Sequence, residues 1–118
     1  MSVRLKRVYE SAANADGYRV LVDRLWPRGI TKDAARLSAW RKELAPSSEL
    51  RKWFHHDLTK WEDFKERYFQ ELDDHREEVE ELVRLAKERR VTLLFGAKDE
   101  EHNNAVALRE YLERNFSA

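Results

Sequence analysis

Polar side chains that could carry out chemistry cluster in a short stretch, Asp23–Gly29, directly after an apolar run. Arg24 and Arg28 carry planar guanidinium groups that fit a carboxylate or a phosphate with two hydrogen bonds. Trp26 can stack on a ring or a guanidinium, and Asp23 can accept a proton or orient an arginine. The stretch is therefore a candidate anion site. The alternative is an Asp–Arg pair that braces the loop, with Trp26 in the core.

A second polar stretch follows another apolar run and leads into a predicted helix. Its candidate residues are Lys98, Asp99, His102, Asn103 and Asn104. The lysine adds positive charge, the histidine can transfer a proton near neutral pH, and the asparagines donate and accept hydrogen bonds. A helix amino terminus also favours a negative group. The alternative is that Asp99 only caps the helix and that residues 102–104 form its polar first turn.

His55-His56-Asp57 is the remaining candidate, for a divalent metal. Adjacent side chains at a helix end diverge by roughly 100°, so both histidines rarely reach one ion. Metal binding through His55, His56 or His102 is therefore the last-ranked interpretation, and we predict no resident metal or cofactor. Since the sequence lacks a glycine-rich run, a nucleotide-binding loop is not supported either.

Composition narrows the function classes further. The chain has 118 residues, 23 Lys plus Arg against 23 Asp plus Glu, and no cysteine. Zero net charge gives no overall attraction to nucleic acids or anionic membranes, and the lack of cysteine excludes thiol chemistry and disulfides. No apolar stretch approaches the roughly 20 residues that span a bilayer, and the amino terminus lacks a signal-peptide pattern. We expect a cytoplasmic protein with neither a nucleic-acid nor a membrane partner.

Three runs of the sequence predict strands. Val3 to Tyr9 alternates as a half-buried strand does, and Tyr18–Asp23 and Val91–Phe95 are apolar and rich in β-branched residues. Asp16-Gly17 is a turn dipeptide whose glycine can take a positive φ. Residues 37–44 fit both helical spacing and alternation, so periodicity leaves that segment open.

Helix signals fill the rest of the chain. Thr31 can cap a turn over residues 32–35, Ser47 or Ser48 can cap the next helix, and Thr59–Glu62 has the pattern of a capping box. The apolar stripe that follows continues past Asp73, where we predict a break. After about Glu101 a closing helix is expected, with a buried face of Ala105, Leu108, Leu112 and Phe116.

This order of elements predicts a single α/β domain over residues 1–118, with a small, mainly parallel sheet of about four strands flanked by helices. Parallel strands bring their carboxyl ends to one edge, where ligands bind in open α/β sheets. The two polar stretches would then share one site. Ser47 joins it if residues 37–44 form a third parallel strand. The direction of the first strand relative to the second stays open, because only residues 10–17 connect them.

Four motifs carry a resemblance to a known family over nearly the whole chain. They are VDRLWPRG (22–29), ELAPSSELRKWFHHD (43–57), WEDFKERYFQEL (61–72) and TLLFGAKDEEHNNAVAL (92–108). Together they resemble the YeaO-like branch of a bacterial family of domains of unknown function. The resemblance implies a compact α/β fold with the Trp40 segment as a strand, and it implies no reaction. More distant relatives carry cysteine after the last strand; this chain has Gly96 and Ala97 there, so thiol chemistry does not transfer.

The predicted function is binding of an anionic small molecule, phosphorylated molecules included. The predicted ligand-binding residues are Arg24, Trp26, Arg28, Ser47, Lys98, Asp99, Asn103 and Asn104. If catalysis occurs, Asp23 or His102 transfers the proton and the cations stabilise developing negative charge. The competing hypothesis is a non-enzymatic regulatory or interaction module in which these groups satisfy one another. The sequence leaves enzymatic activity and oligomeric state undecided.

Overall fold

The computed structural model describes residues 1–116, and its elements confirm the α/β class. The strands are β1 (Val3–Arg7), β2 (Tyr18–Leu21), β3 (Ala39–Trp40) and β4 (Val91–Phe95). The helices are α1 (Lys32–Ala35), α2 (Ser48–Phe54), α3 (Trp61–Asp73), α4 (Arg76–Glu88) and α5 (Asn104–Phe116). Short 3₁₀ turns lie at Asn14–Asp16, Lys42–Leu44 and Leu58–Lys60. Within residues 1–116, none of the helices is both long enough and apolar enough to cross a lipid bilayer.

The four strands form one parallel sheet in the order β1-β4-β2-β3. β4 lies between β1 and β2, with Val91 in register with both Val3 and Tyr18. The first two strands are therefore parallel without being neighbours, which answers the question of direction. Their connection, residues 8–17, is shorter than the usual crossover of about a dozen residues. The short connection suffices because both strands are short, five residues in β1 and four in β2, so the chain has only a short distance to run back along the sheet.

The pleat of the sheet divides the apolar residues between two layers. Val20, Val22 and Leu93 face a large core built with α2, α3, α4 and α5. Leu21 and Leu94, one position along, belong to a smaller cluster under α1. Because side chains alternate along a strand, these short apolar runs are buried on both faces of the sheet.

Several predicted boundaries need correction. β1 ends at Arg7 rather than Tyr9, and β2 ends at Leu21, so Asp23 lies in the loop beyond the sheet edge. The capping box at Thr59 is also wrong. The Thr59 hydroxyl donates to Asp57 Oδ1 at 2.6 Å, and α3 begins only at Trp61, after a 3₁₀ turn. Asp57 takes the capping role because its carboxylate also accepts the Thr59 N–H.

Other local predictions are confirmed. Thr31 and Ser47 cap α1 and α2, each accepting a backbone N–H through the side-chain oxygen at 3.1 Å. Gly17 has a φ of 65°. The ambiguous segment 37–44 combines both patterns, because the strand Ala39–Trp40 is followed by a 3₁₀ turn. The helix break near Asp73 is present between α3 and α4.

Candidate functional site

A cleft of about 540 Å³ opens at the carboxyl edge of the sheet, where the predicted site was expected. It is lined by residues that follow β1, β2 and β4, and by side chains of α2. The sequence-predicted residues among its lining are Asp23, Arg24, Trp26, Arg28, His102, Asn103 and Asn104. The two polar stretches of the sequence therefore meet in one cleft.

Asp23 joins the loop after β2 to the loop after β4. Its Oδ2 accepts the Gly96 N–H at 2.8 Å, and its Oδ1 accepts from Asn104 Nδ2 at 3.1 Å. A Cβ at Gly96 would lie 3.1 Å from Asp23 Oδ2, so glycine allows this close approach. Burial raises the pKa of Asp23, although these two hydrogen bonds and the charge of Arg51 oppose the rise. Asp23 is thus a half-buried carboxyl group held in place in the lining of the cleft.

Arg24 and Trp26 use their donors inside the protein. The Arg24 guanidinium donates to the carbonyl oxygens of Pro46 at 2.9 Å and Ala45 at 3.2 Å, which fixes the connection between β3 and α2. Trp26 Nε1 donates to the Ile30 carbonyl at 2.8 Å, and its ring packs edge-on against another tryptophan ring at 5.4 Å. Both residues line the cleft. The alternative of an Asp–Arg pair is wrong, because Arg24 donates to backbone carbonyls while Asp23 accepts from Gly96 and Asn104, but Arg24 does brace a loop.

Three exposed cations of the cleft differ from Arg24, because their side chains donate no hydrogen bond to another residue within residues 1–116. Arg28 was predicted, whereas Arg51 and Lys52 of α2 were not. Among the described residues that line the cleft, Asp23 is the one carboxylate facing these cations. The lining is therefore positive in a chain whose net charge is zero. The motif of residues 43–57 contained both missed cations, but its spacing gave only the apolar face of the helix.

His102 lines the cleft, whereas its neighbour Asp99 lies outside the lining. The carboxylate of Asp99 accepts the N–H groups of Glu101 at 2.9 Å and His102 at 3.0 Å, and its Oδ2 lies 3.1 Å from His102 Nδ1. These interactions, the Glu101 hydrogen bond foremost, lower the pKa of Asp99. The imidazole also packs edge-on against the ring of Trp61 at 5.3 Å. Asp99 thus positions the histidine from outside the cleft.

Asn103 caps α5, so the alternative in which Asp99 caps this helix is wrong. Asn103 Oδ1 accepts the Val106 N–H at 3.0 Å, and its Nδ2 donates to the Asp99 carbonyl at 2.9 Å. Asn104 donates to the Val22 carbonyl at 2.6 Å as well as to Asp23. Both asparagines connect the last loop to its neighbours and also border the cleft.

Ser47 and Lys98 do not join the other predicted residues. The Ser47 N–H and hydroxyl donate to the two carboxylate oxygens of Glu71, on α3, at 2.8 and 2.7 Å. The amino terminus of α2 therefore already holds an internal anion. Lys98 is exposed and lies outside the lining. The convergence expected of the predicted cations and Ser47 holds for Arg24 and Arg28 only.

His55 and His56 also border the cleft, at the end of α2, where both have a positive φ of 41° and 57°. The described part of the chain contains no group of three or more histidine, cysteine, aspartate or glutamate residues that could hold a metal ion. The arrangement of residues 1–116 thus gives the metal interpretation no ligand set.

Comparison with known proteins places the chain in a family. Residues 2–118 match the family model DUF488-N3i, described as the inactive DUF488-N3 subclade. The chain belongs to this family. It is 46% identical to the uncharacterised protein YeaO of Escherichia coli (strain K12) over 112 residues, which cover 95% of this chain and 97% of the relative. This confirms the YeaO-like resemblance of the four motifs.

Two mycobacterial relatives are similar over almost the same length. The uncharacterised proteins Rv3073c of Mycobacterium tuberculosis (strain H37Rv) and Mb3100c of Mycobacterium bovis are each 42% identical over 110 residues. These cover 93% of this chain and 92% of each relative. No solved structure matches the chain. DUF488-N3i is thus a family of domains of unknown function, and its relatives' names state no reaction.

Proposed function

We propose that this protein binds an anionic small molecule, with phosphate esters as the foremost class, and that it does so without turning the ligand over. The observation that carries the proposal is the contrast among the cations of the cleft. Arg24 is committed to two backbone carbonyls. Arg28, Arg51 and Lys52 remain exposed in the same lining as the half-buried carboxylate of Asp23. The description of the family as an inactive subclade supports binding without catalysis.

The size and charge of the cleft suit such a ligand. Its volume of about 540 Å³ lies within the roughly 300–1,000 Å³ of ordinary small-molecule sites. A cleft lined by one sign of charge raises the local concentration of the opposite ion even when the protein has no net charge. Guanidinium groups also match phosphate oxygens with two parallel hydrogen bonds.

Acid–base catalysis is the second candidate function. The observation that favours it is the distance of 3.1 Å between Asp99 Oδ2 and His102 Nδ1. A carboxylate in this position fixes an imidazole ring, so that Nε2 is the nitrogen left for a ligand. The raised pKa of Asp23 provides a second group suited to proton transfer.

Replacing the uncommitted cations tests the binding proposal. We expect the double variant Arg28→Ala/Arg51→Ala to weaken the binding of inorganic phosphate at least about tenfold, since hydrogen bonds to charged groups contribute about 1.5–3 kcal/mol each. Titration calorimetry at low ionic strength measures the affinity, and added salt should lower it. Arg84→Ala is the matched control, because Arg84 is an exposed arginine of α4 outside the cleft.

Equal phosphate affinities for the wild type and the double variant would contradict the proposal. The same proteins, incubated with phenyl phosphate and followed by phosphorus NMR, separate the two candidate functions. An ester that stays intact supports a binding protein. Release of phosphate that disappears in His102→Ala would instead support acid–base catalysis.

A further inference from the structure

The rim of the cleft carries exposed apolar side chains next to its cations. Within residues 1–116, the large apolar side chains that are exposed are Met1, Tyr9, Leu25 and Leu58. Tyr9 and Leu25 both line the cleft, although they come from different connections of the sheet. Exposed apolar groups collected around a concave surface are typical of binding sites.

Tyr9 is held rigidly despite its exposure. Its hydroxyl donates to the Arg28 carbonyl at 2.7 Å, and the Arg7 guanidinium lies over its ring at 5.0 Å from the centroid. Arg7 is itself fixed by a hydrogen bond of 3.0 Å from its Nε to the Ala97 carbonyl. With the ring anchored in this way and 42% of Tyr9 exposed, the side chain forms a ready platform for another ring.

Leu25 is exposed although the residues on both sides of it are anchored. Arg24 is tied to two carbonyls of the connection before α2, and the Trp26 indole is tied to the Ile30 carbonyl. The 59% exposure of Leu25 therefore belongs to a braced segment of the loop. Its side chain is presented beside the cations of the cleft by the same loop that carries Arg28.

We infer that the ligand is a phosphate joined to a planar aromatic ring, as in an aryl phosphate or a nucleoside monophosphate. The exposed cations Arg28 and Arg51 bind the phosphate, Tyr9 stacks on the ring, and Leu25 contacts its apolar edge. This inference rests on the proposed function and adds the chemical class of the ligand. The cleft of about 540 Å³ is much larger than a lone phosphate requires.

The test compares inorganic phosphate, phenyl phosphate and adenosine monophosphate by titration calorimetry of the full chain. We expect phenyl phosphate to bind about tenfold more tightly than inorganic phosphate, as stacking on one aromatic side chain typically gives. The nucleotide distinguishes the two sources of the shared chemistry. Tighter binding of adenosine monophosphate than of phenyl phosphate assigns a nucleotide, and the reverse order assigns a simple aryl phosphate.

Variants of the rim locate this preference. Tyr9→Leu removes the ring and keeps an apolar side chain, and Leu25→Ser removes the second apolar contact. Each should reduce the ratio of the affinity for phenyl phosphate to that for inorganic phosphate severalfold. This ratio is the readout because Tyr9→Leu also removes the hydrogen bond to the Arg28 carbonyl and can change the affinity for both ligands together. Leu58→Ser is the control, because Leu58 is similarly exposed, at 51%, and lies outside the cleft. A proton–nitrogen correlation spectrum verifies that each variant is folded.

The results distinguish this inference from the proposed function. Equal affinities for inorganic phosphate and phenyl phosphate overturn the inference while leaving anion binding in place. A preference for phenyl phosphate that survives in both rim variants also overturns it. Binding of neither compound overturns the proposed function together with the inference.

Discussion

Two clusters of charged residues differ in whether their charged groups are paired inside the protein. One is the closed cluster around Asp16, and the other is the set of cations in the cleft. In the closed cluster, Asp16 accepts from Lys6 at 3.1 Å and from Arg19 at 2.6 Å. Arg19 also donates to the Ala35 carbonyl at 2.7 Å. Only 6% of Asp16 and 4% of Arg19 is exposed. The cleft at the carboxyl edge instead presents exposed cations without comparable partners among residues 1–116.

The two clusters differ because burial sets a requirement that exposure does not. A buried ion must be paired and hydrogen-bonded, because removing it from water costs several kcal/mol. The closed cluster meets this requirement and ties the short connection before β2 to the end of α1. Exposed cations have no such requirement, so those of the cleft can stay without partners among residues 1–116, as the proposed ligand site requires. Arg24 is intermediate, since it lines the cleft but braces a loop.

Breaking the closed cluster should have the largest effect. Asp16→Ala leaves the Arg19 guanidinium buried without its carboxylate and leaves Lys6 Nζ with the Ser11 carbonyl but not the Asp16 carboxylate. We expect the free energy of unfolding to fall by about 3–5 kcal/mol, the usual result of removing one partner of a buried pair. Urea unfolding followed by circular dichroism measures the change.

Asp74→Ala is the control for this prediction. Asp74 is an exposed aspartate between the carboxyl end of α3 and the amino end of α4, where the two helix dipoles act on its charge with opposite signs. Its replacement should change stability by less than about 0.5 kcal/mol. Similar losses in the two variants would mean that the closed cluster does not differ from the surface.

The pH dependence of stability should have opposite signs for the aspartates of the two clusters. Burial tends to raise the pKa of Asp16, but the hydrogen bonds from Ala13, Lys6 and Arg19 outweigh it and leave the pKa below the ordinary 3.8. Its stabilising contribution is therefore present above pH 3.8 and is lost as the pH falls through the folded-state pKa. Burial leaves the pKa of Asp23 raised, so its contribution is present below pH 3.8 and is lost as the pH rises through the folded-state pKa.

Asn variants isolate these two contributions. As the pH falls from 7 towards 3, wild type should lose stability relative to Asp16→Asn. As the pH falls through the raised folded-state pKa of Asp23, wild type should gain stability relative to Asp23→Asn. Urea unfolding at several pH values gives both differences. Slopes of the same sign would show that the two carboxyl groups share one kind of environment.

Much of the fold could be predicted because burial leaves a regular pattern in the sequence. Val91–Phe95 is buried on both faces, as a central parallel strand must be, and β4 indeed lies inside the sheet between β1 and β2. The capping box predicted at Thr59 is wrong, because the Asp57 carboxylate accepts the Thr59 N–H that Glu62 would have accepted. Such local competition cannot be read from the spacing of two residues.

Residues of the candidate site could be predicted only where they directly follow a strand. Asp23, Arg28 and His102 follow strands, and the parallel sheet brings such residues to one edge. Arg51 and Lys52 were missed because the orientation of α2 against that edge depends on tertiary packing, which the spacing of residues does not predict. The pairing of Ser47 with Glu71 was equally hidden, since it joins two helices that are distant in sequence.

The most direct test of the central claim is a titration of the nitrogen-labelled protein with inorganic phosphate, followed by proton–nitrogen correlation NMR. We expect saturable shifts for the amides of Arg28, Arg51 and Ala97, which border the cleft, and unchanged signals for Asp16 and Arg19 in the closed cluster. Shifts that do not saturate and are scattered over exposed lysines and arginines, or shifts centred on the closed cluster, would contradict it.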